Sequence, residues 1–324
     1  MQFEIHHITQ YSYDEPVRES VIELRMQPRR SGGQGLVSFE VEVEPHAQVL
    51  SYVDSWANTV HHFDVPHAHD RLDIVTRSVV ETYGQLSLPA ELAMDEWAAL
   101  EAESVRGEWW DFLAMHGFIA RTEALEAFIA ARNLDALRRR DPLSALRELN
   151  RAIYEAFDYE SGVTDPDSPI DHALLDGRGV CQDFAHIMIS ICRMWGVPAR
   201  YVSGYLYTDQ ETHDRSTAGA SHAWLEAFLP SLGWIGVDPT NDLMACERHL
   251  PVAIGRDYSD VPPSRGVFKG EAESRLSVGV SVHKTAGPGA EFPHTGAPAL
   301  IATRRRSGGP SLLAQHEQQQ LEQQ

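Results

Sequence analysis

No two cysteines in this chain are spaced for a metal or a redox bridge. The three thiols, Cys181, Cys192 and Cys246, form no C-x-x-C pair, so neither a zinc site nor a disulfide framework is expected. Three unpatterned thiols suit a reducing compartment, and the expected location is cytoplasmic. A Gly-rich phosphate loop, a dinucleotide glycine fingerprint and an H-E-x-x-H helix are all missing, which removes common nucleotide and metalloprotease chemistries. No cofactor and no metal are expected. His67-Ala68-His69 sets two imidazoles on one side of an extended segment, with His61-His62 nearby. That is the pattern of a weak surface metal site, although solvated loop histidines are the plainer account. No run approaches the roughly 20 apolar residues of a membrane span, and Met1 to His6 lacks the basic start and apolar stretch of a secretory leader. Basic charge is scarce too: 47 acidic residues stand against 27 Lys and Arg, a net charge of −20. Nucleic acid and anionic membrane surfaces are therefore not expected as main partners, and nothing sets an oligomeric state.

What is present suffices for a large core and two domains: 324 residues, 43% of them hydrophobic. Residues 1–85 read as β structure. Phe3, Ile5 and His7 alternate with polar residues, Ile22, Leu24 and Met26 follow, and Val37, Phe39, Val41 and Val43 alternate against Ser38, Glu40, Glu42 and Glu44. Such alternation predicts half-buried antiparallel sheet, for which a sandwich is the usual form. Residues 86–140 read as a helical insert. Asp141-Pro142 then looks like an N-cap with proline at the first helical position, opening a helix that buries Leu146, Leu149, Ile153 and Phe157. Strands from Ala199 onward follow a second long helix, so 141–255 is expected to be helices packed on an antiparallel sheet. The fold class is α+β. Residues 256–283 read as extended segments packing back on either domain. Residues 284–324, with Gly287-Pro288, Arg304-Arg305-Arg306 and a Gln-rich end, read as a mobile tail.

The chemistry concentrates at Cys181. Asp176-Gly177-Arg178-Gly179-Val180 is a glycine turn running into a helix whose apolar residues recur at Phe184, Ile187, Met188, Ile191, Cys192 and Trp195, the spacing of one buried face. Gly196 and Pro198 end it. Unpaired N–H groups and the positive end of the dipole stabilise a thiolate at that N-terminus. A lone cysteine is more often core filling, the account that suits Cys192. Downstream, Ala220 to Leu229 alternates so that His222, Trp224, Glu226 and Phe228 share a side. If Pro230 to Leu232 form a three-residue loop, Leu229 faces Gly233 and Asp238 faces Trp224. Asp238 then lies diagonal to His222, at roughly 7–8 Å between Cα atoms. An even-numbered loop would put Asp238 on the other face.

The order Cys181, His222, Asp238, at intervals of 41 and 16 residues, together with Gly-Val-Cys-Gln-Asp-Phe-Ala-His at 179–186, Gly-Val-Pro-Ala-Arg-Tyr-Val-Ser-Gly-Tyr at 196–205, Ser-His-Ala-Trp at 221–224 and Trp-Ile-Gly-Val-Asp-Pro-Thr-Asn at 234–241, closely resembles the transglutaminase-like catalytic core. Phe-Glu-Ile-His-His-Ile-Thr-Gln-Tyr-Ser-Tyr at 3–13 resembles the β-rich N-terminal domain of bacterial members. The resemblance covers most of residues 1–285 and is weakest between about 85 and 140. It implies a papain/transglutaminase-like domain in which Cys181 attacks a carboxamide, His222 relays the proton and Asp238 orients His222. General acyl-transfer chemistry asks for the same three groups. The Cys181 N–H is one candidate oxyanion donor, and Tyr159 or Gln182 another. Asp183, Trp224 and Glu226 read as supporting residues, Asp183 by suiting the helix dipole and Trp224 by walling the cleft. The expected partner is a peptide or other amide. Hydrolysis is favoured slightly, because no acceptor-binding motif is visible. The alternatives are an amide-forming acyltransferase such as a protein-glutamine transglutaminase, and a non-catalytic binding protein on this fold.

Overall fold

The computed structural model describes residues 1–84, 87–209, 212, 214–216, 219–285 and 301–304. Alternation in the first 82 residues produces six strands: β1 (Gln2–Val17), β2 (Ser20–Leu24), β3 (Gln34–Glu44), β4 (Leu50–Val53), β5 (Thr59–Val65) and β6 (His69–Thr82). Phe3, Ile5, Tyr11, Leu72, Ile74 and Val80 point inward and are buried. Val37 departs from the expected alternation. The β3–β6 register shifts between Leu36 and Ser38, so a bulge turns Val37 outward, 54% exposed, as an extra residue reverses the side-chain sequence of a strand.

After β6 the chain turns helical, with α1 (Glu96–Leu100), α2 (Glu103–Glu108), α3 (Glu123–Ala131) and α4 (Pro142–Ala156). Asp141 caps α4 as expected. Its Oδ1 accepts the N–H groups of Leu143 and Ser144 at 3.1 Å, and that of Leu92 at 2.9 Å. Next come β7 (Asp158–Tyr159), α5 (Ile170–Asp176), β8 (Arg178–Gly179) and α6 (Cys181–Met194), then the strands β9 (Ala199–Leu206), β10 (His222–Leu229), β11 (Gly233–Asp238), β12 (Leu243–Met244) and β13 (His249–Gly255). The sheet order is β12-β11-β10-β9-β13, antiparallel throughout. Ala223, Leu225, Ala227, Ile235 and Val237 of this sheet share a core with α4 and α6.

Helix α6 was expected to bury one face. It is instead buried from Cys181 to Arg193, and its polar residues find partners inside. Arg193 donates to the carbonyls of Ala199, Ala114 and Arg256. Ser190 donates to the His186 carbonyl, and His186 Nε2 accepts the Tyr258 N–H at 3.2 Å. Enclosing a helix on every side requires that nearly all its polar groups be satisfied in this way; Gln182 Oε1 is an exception, buried with no hydrogen-bond partner among the described residues. Gly196, at φ +80°, ends it with the Val197 N–H on the Cys192 carbonyl at 2.9 Å, a turn that glycine adopts without steric cost. Trp195 is 5% exposed and donates to Asp135 at 3.0 Å. Trp195→Ala is expected to cost about 3–5 kcal/mol of unfolding free energy, measurable by urea denaturation.

The last described strands return to the first domain. β14 (Ser264–Phe268) pairs with β2, β15 (Ser274–Thr285) pairs with β1, and β16 (Ile301–Arg304) pairs with β15. Two sheets result, β16-β15-β1-β6-β3 and β14-β2-β5-β4, so the sandwich is built from both ends of the chain. Most of the tail expected from residue 284 onward lies outside the described residues; the exceptions are 284, 285 and 301–304. Tyr205, Leu250 and Val252 of the second domain join the sandwich core. No helix among the described residues is long and apolar enough to cross a membrane.

Candidate active site

Cys181 opens α6 because the segment before it is pinned on both sides. β7 and β8 pair in parallel, Asp158 with Arg178 and Tyr159 with Gly179. Asp183 holds the turn from within the helix: its Oδ2 accepts the Val180 N–H at 2.9 Å and the Thr164 hydroxyl at 2.7 Å. A Cβ on Gly179 would lie 2.8 Å from that oxygen and 3.1 Å from the Asp183 Cβ, so the turn needs glycine. The Cys181 N–H is the first of the helix and has no intrahelical acceptor.

The β10–β11 hairpin has the expected register, with Leu229 opposite Gly233 and Leu225 opposite Val237. Asp238 therefore falls on the His222 side, and His222 Nε2 donates to its Oδ2 at 2.8 Å. His222 Nδ1 is buried without an aligned hydrogen-bond partner among the described residues, which leaves that nitrogen for the neighbouring sulfur. Burial by itself would lower the His222 pKa. The charge of Asp238 and its hydrogen bond outweigh burial, Cys181 adds to them, and the imidazolium is held up to about 10. Burial pushes the Asp238 carboxyl up, but His222 and His249 together hold it far below the usual carboxylate range. The His222 ring thus holds its proton beside the Asp238 carboxylate. Cys181 is 1% exposed and His222 3%, so both lie beneath the surface of the protein.

The other expected residues separate into walls and braces. Trp224 is 1% exposed and stacks on His222 at 5.9 Å between ring centroids. It fits because Gly204 is bare: a Cβ there would collide with the Leu250 carbonyl and come within 2.6 Å of the indole. Glu226 pairs with Arg200 at 2.6 Å, away from the sulfur. Gln182 donates its side-chain amide to the Pro166 carbonyl at 2.8 Å. Tyr159 packs edge-on to Phe184, 6.5 Å away, beside the turn that carries Cys181. Of the histidines at 61–69, His69 is not on the surface but 7% exposed, and both its ring nitrogens are engaged, Nδ1 donating to the His67 carbonyl at 2.7 Å and Nε2 accepting from the Ser20 hydroxyl at 2.9 Å, so its lone pair is already in use.

Three groups on Asp238 escaped the sequence. His249 Nε2 donates to Oδ2 at 3.2 Å, Asn241 donates to the same oxygen at 2.9 Å, and the Thr240 N–H reaches Oδ1 at 3.0 Å. Asn241 belongs to the Asp-Pro-Thr-Asn stretch, but nothing local marks His249, which comes from β13 across the curled sheet. His222, Asp238 and His249 bring ligand-type atoms within 4.8 Å of one another. Their chemistry is that of an orienting carboxylate: both rings point N–H donors at one oxygen, and a donor nitrogen has no lone pair for a metal.

Two buried groups of α6 act oppositely as pH changes. Burial raises the Asp183 carboxyl to about 6, against the Val180 and Thr164 hydrogen bonds. Burial lowers His186 to about 4, against the charge of Asp257. Acidification from 6.5 to 4 protonates the unfolded chain's histidine first and so removes stability. Protonation of Asp183 in the folded state, from about 6 down to the ordinary 3.8, restores some. Each effect is worth up to about 3 kcal/mol. Asp183→Asn is expected to melt progressively below the parent protein as pH falls from 7 to 4, because only the histidine loss remains; parallel melting curves would refute the balance.

Cys192 is fully buried and its thiol is pushed up to about 12 by burial. In native protein at neutral pH, iodoacetamide is expected to label Cys181 slowly and Cys192 not at all. Peptide mapping of the alkylated chain distinguishes them.

Comparison with known proteins agrees with this architecture. Residues 132–239 match the core of the Transglutaminase-like superfamily, and residues 3–81 match the Bacterial transglutaminase-like N-terminal region. The chain is 33% identical over 281 residues to an uncharacterized protein of Mycobacterium leprae, covering 86% of this chain and 98% of that protein. A protein-glutamine gamma-glutamyltransferase of Pseudomonas aeruginosa is 35% identical over 138 residues, 38% of this chain and 20% of its own length. The crystal structure of a candidate cysteine protease from Cytophaga hutchinsonii superposes with a TM-score of 0.66 at 18% identity, covering 94% of this chain and 98% of that one. At that identity the likeness speaks for the fold.

Proposed function

Since the chain belongs to the transglutaminase-like superfamily, we propose that it carries out thiol-dependent acyl chemistry on a peptide or other amide, with Cys181 as nucleophile, His222 as proton relay and Asp238 as the group that orients His222. The observation that carries this reading is the His222 ring, tied through Nε2 to Asp238 at 2.8 Å with Nδ1 left for the Cys181 sulfur. The thiolate attacks the amide carbonyl while the Cys181 N–H, at the positive end of α6, receives the developing oxyanion. His222 passes its proton to the leaving amine, and a thioester remains on Cys181. Water, deprotonated by the same imidazole, then releases the acid and the free thiol.

Hydrolysis is the favoured outcome. Transfer to an amine is the second reading, supported by the partial likeness to a gamma-glutamyltransferase. One assay separates them: a panel of defined glutamine and backbone amides, with and without a primary amine. Release of acid that an added amine does not divert supports hydrolysis. A new amide at the expense of acid supports transfer. No Cys181-dependent product from any amide, with the thiol intact, would leave the non-catalytic reading.

A further inference from the structure

His249 reaches Asp238 from a strand outside the hairpin. The residue is 4% exposed, and its Nε2 lies 3.2 Å from Asp238 Oδ2, the oxygen that also accepts from His222 at 2.8 Å. On the other side of the ring, Nδ1 accepts the Cys246 N–H at 3.1 Å. A backbone N–H can only donate, so Nδ1 keeps its lone pair and the ring proton sits on Nε2, aimed at Asp238. Burial would lower the His249 pKa, and the bonds to Asp238 and Cys246 more than offset it; a second proton would still have to enter at Nδ1, against the Cys246 donor. The other titratable groups around the ring are His222 on the hairpin and the Cys246 thiol, 3.7 Å from Nδ1. The Arg248 guanidinium is paired with Asp214 at 2.7 Å.

Long-range contacts fix where the ring stands. β13 pairs with β9, and its Leu250 and Val252 enter the sandwich core. The Pro251 carbonyl accepts the Arg29 N–H and the Gln34 side-chain amide, each at 3.0 Å. Trp224, which stacks on His222, meets His249 edge-on at 5.2 Å between ring centroids. The ring borders a cavity of about 470 Å³ that Trp224 and Cys246 also line and that none of Cys181, His222 and Asp238 reaches. So confined, the ring keeps one orientation, and in it Oδ2 is shared between two imidazoles. A carboxylate oxygen that accepts a second hydrogen bond is a weaker base toward its first donor.

We propose that His249 is a positioning residue for Cys181, His222 and Asp238: by donating to Asp238 Oδ2 it fixes that carboxylate and limits how firmly the carboxylate holds the His222 proton. His249 acts only through Asp238. The consequence for turnover follows from the need for His222 to hand its proton to the leaving amine. With the His249 donor gone, Oδ2 binds His222 more tightly, the imidazolium gives up its proton at a higher pH, and transfer to the amine slows. The effect on turnover rests on the amide reading above; the effect on His222 does not.

The test uses the full chain in two single variants that separate the two ring nitrogens. His249→Asn sets an oxygen where Nδ1 stood, keeps the Cys246 N–H paired and falls short of Asp238. His249→Gln carries an NH₂ to the place of Nε2 and restores the donor. NMR of isotope-labelled histidine rings gives the pH at which His222 loses its proton, and circular dichroism checks the fold. In His249→Asn that pH is expected to rise by about half a pH unit or more, and kcat on a confirmed amide to fall about tenfold or more with KM little changed; in His249→Gln both stay near the parent. A role confined to the turn at Cys246 predicts the reverse order, with the asparagine variant near the parent and the glutamine variant impaired. That order, or an unmoved His222 titration in His249→Asn, would overturn the proposal. The parent protein supplies a check that needs no substitution: at neutral pH the His249 ring should carry its proton on Nε2, and a ring protonated on Nδ1 alone would overturn the proposal as well. Both titration and tautomer are read without substrate, so a parent that turns over no amide would count against the amide reading and leave these two results to decide the role of His249.

Discussion

Cys181→Ala is expected to abolish amide turnover, by about 10⁴-fold or more, while the protein keeps its fold. The substitution deletes one sulfur at the head of α6, where Gly179, Asp183 and Thr164 hold the turn without help from the thiol. The stability cost should stay near 1 kcal/mol. Trp195→Ala, at the other end of the same helix, should show the reverse pattern, because it opens a cavity in the core far from the sulfur. Circular dichroism, melting and a product assay on both variants decide the matter. Full activity in Cys181→Ala toward a confirmed substrate, or collapse of its fold, would end the nucleophile assignment.

Asp238→Asn has the second large effect. Oδ2 accepts from His222, Asn241 and His249, and Oδ1 from the Thr240 N–H. Whichever way an asparagine is turned, its NH₂ meets groups that are themselves donors. With the negative charge gone, desolvation controls His222, and its pKa should fall from about 10 to below 6.5. Turnover at neutral pH is expected to drop about 10³–10⁴-fold and leave a measurable residue. Removing one member of a buried pair costs about 3–5 kcal/mol. In the parent protein the contribution of raised His222 is complete below 6.5 and is lost as pH rises through about 10. That of lowered Asp238 is complete above 3.8 and is lost only as pH falls far below it. The stability gap between parent and variant should therefore be widest between about 4 and 6.5 and close in alkali. A gap that does not change with pH would show that shape, and not charge, holds the pair.

Much of the site was legible because its parts are local. Cys181 follows a glycine turn and precedes a helical repeat, and the 3.6 period makes such a helix readable in isolation. The side of the sheet taken by Asp238 followed from the length of one loop, since a two-residue period leaves only two choices. Val37 was misread because a bulge adds a residue without any change in composition. The burial of α6 on all sides was hidden because Arg193, Ser190 and His186 look like a solvent face until Ala114, Ala199 and Tyr258 arrive to pair with them.

The sequence alone determined where most strands and helices lie and that a thiol heads the helix 181–194, and it put His222 and Asp238 on one side of a hairpin only on condition of an odd-numbered loop, which the register meets. Those properties rest on neighbouring residues and short periods. Only the tertiary structure decided that the C-terminal strands complete the sandwich, that His249 joins Asp238 from β13, and that Cys246 faces a cavity while Cys192 does not. Each of these depends on contacts between segments far apart in the chain, where burial, sheet curvature and the satisfaction of polar groups are settled by which surfaces meet, and no local pattern records that choice.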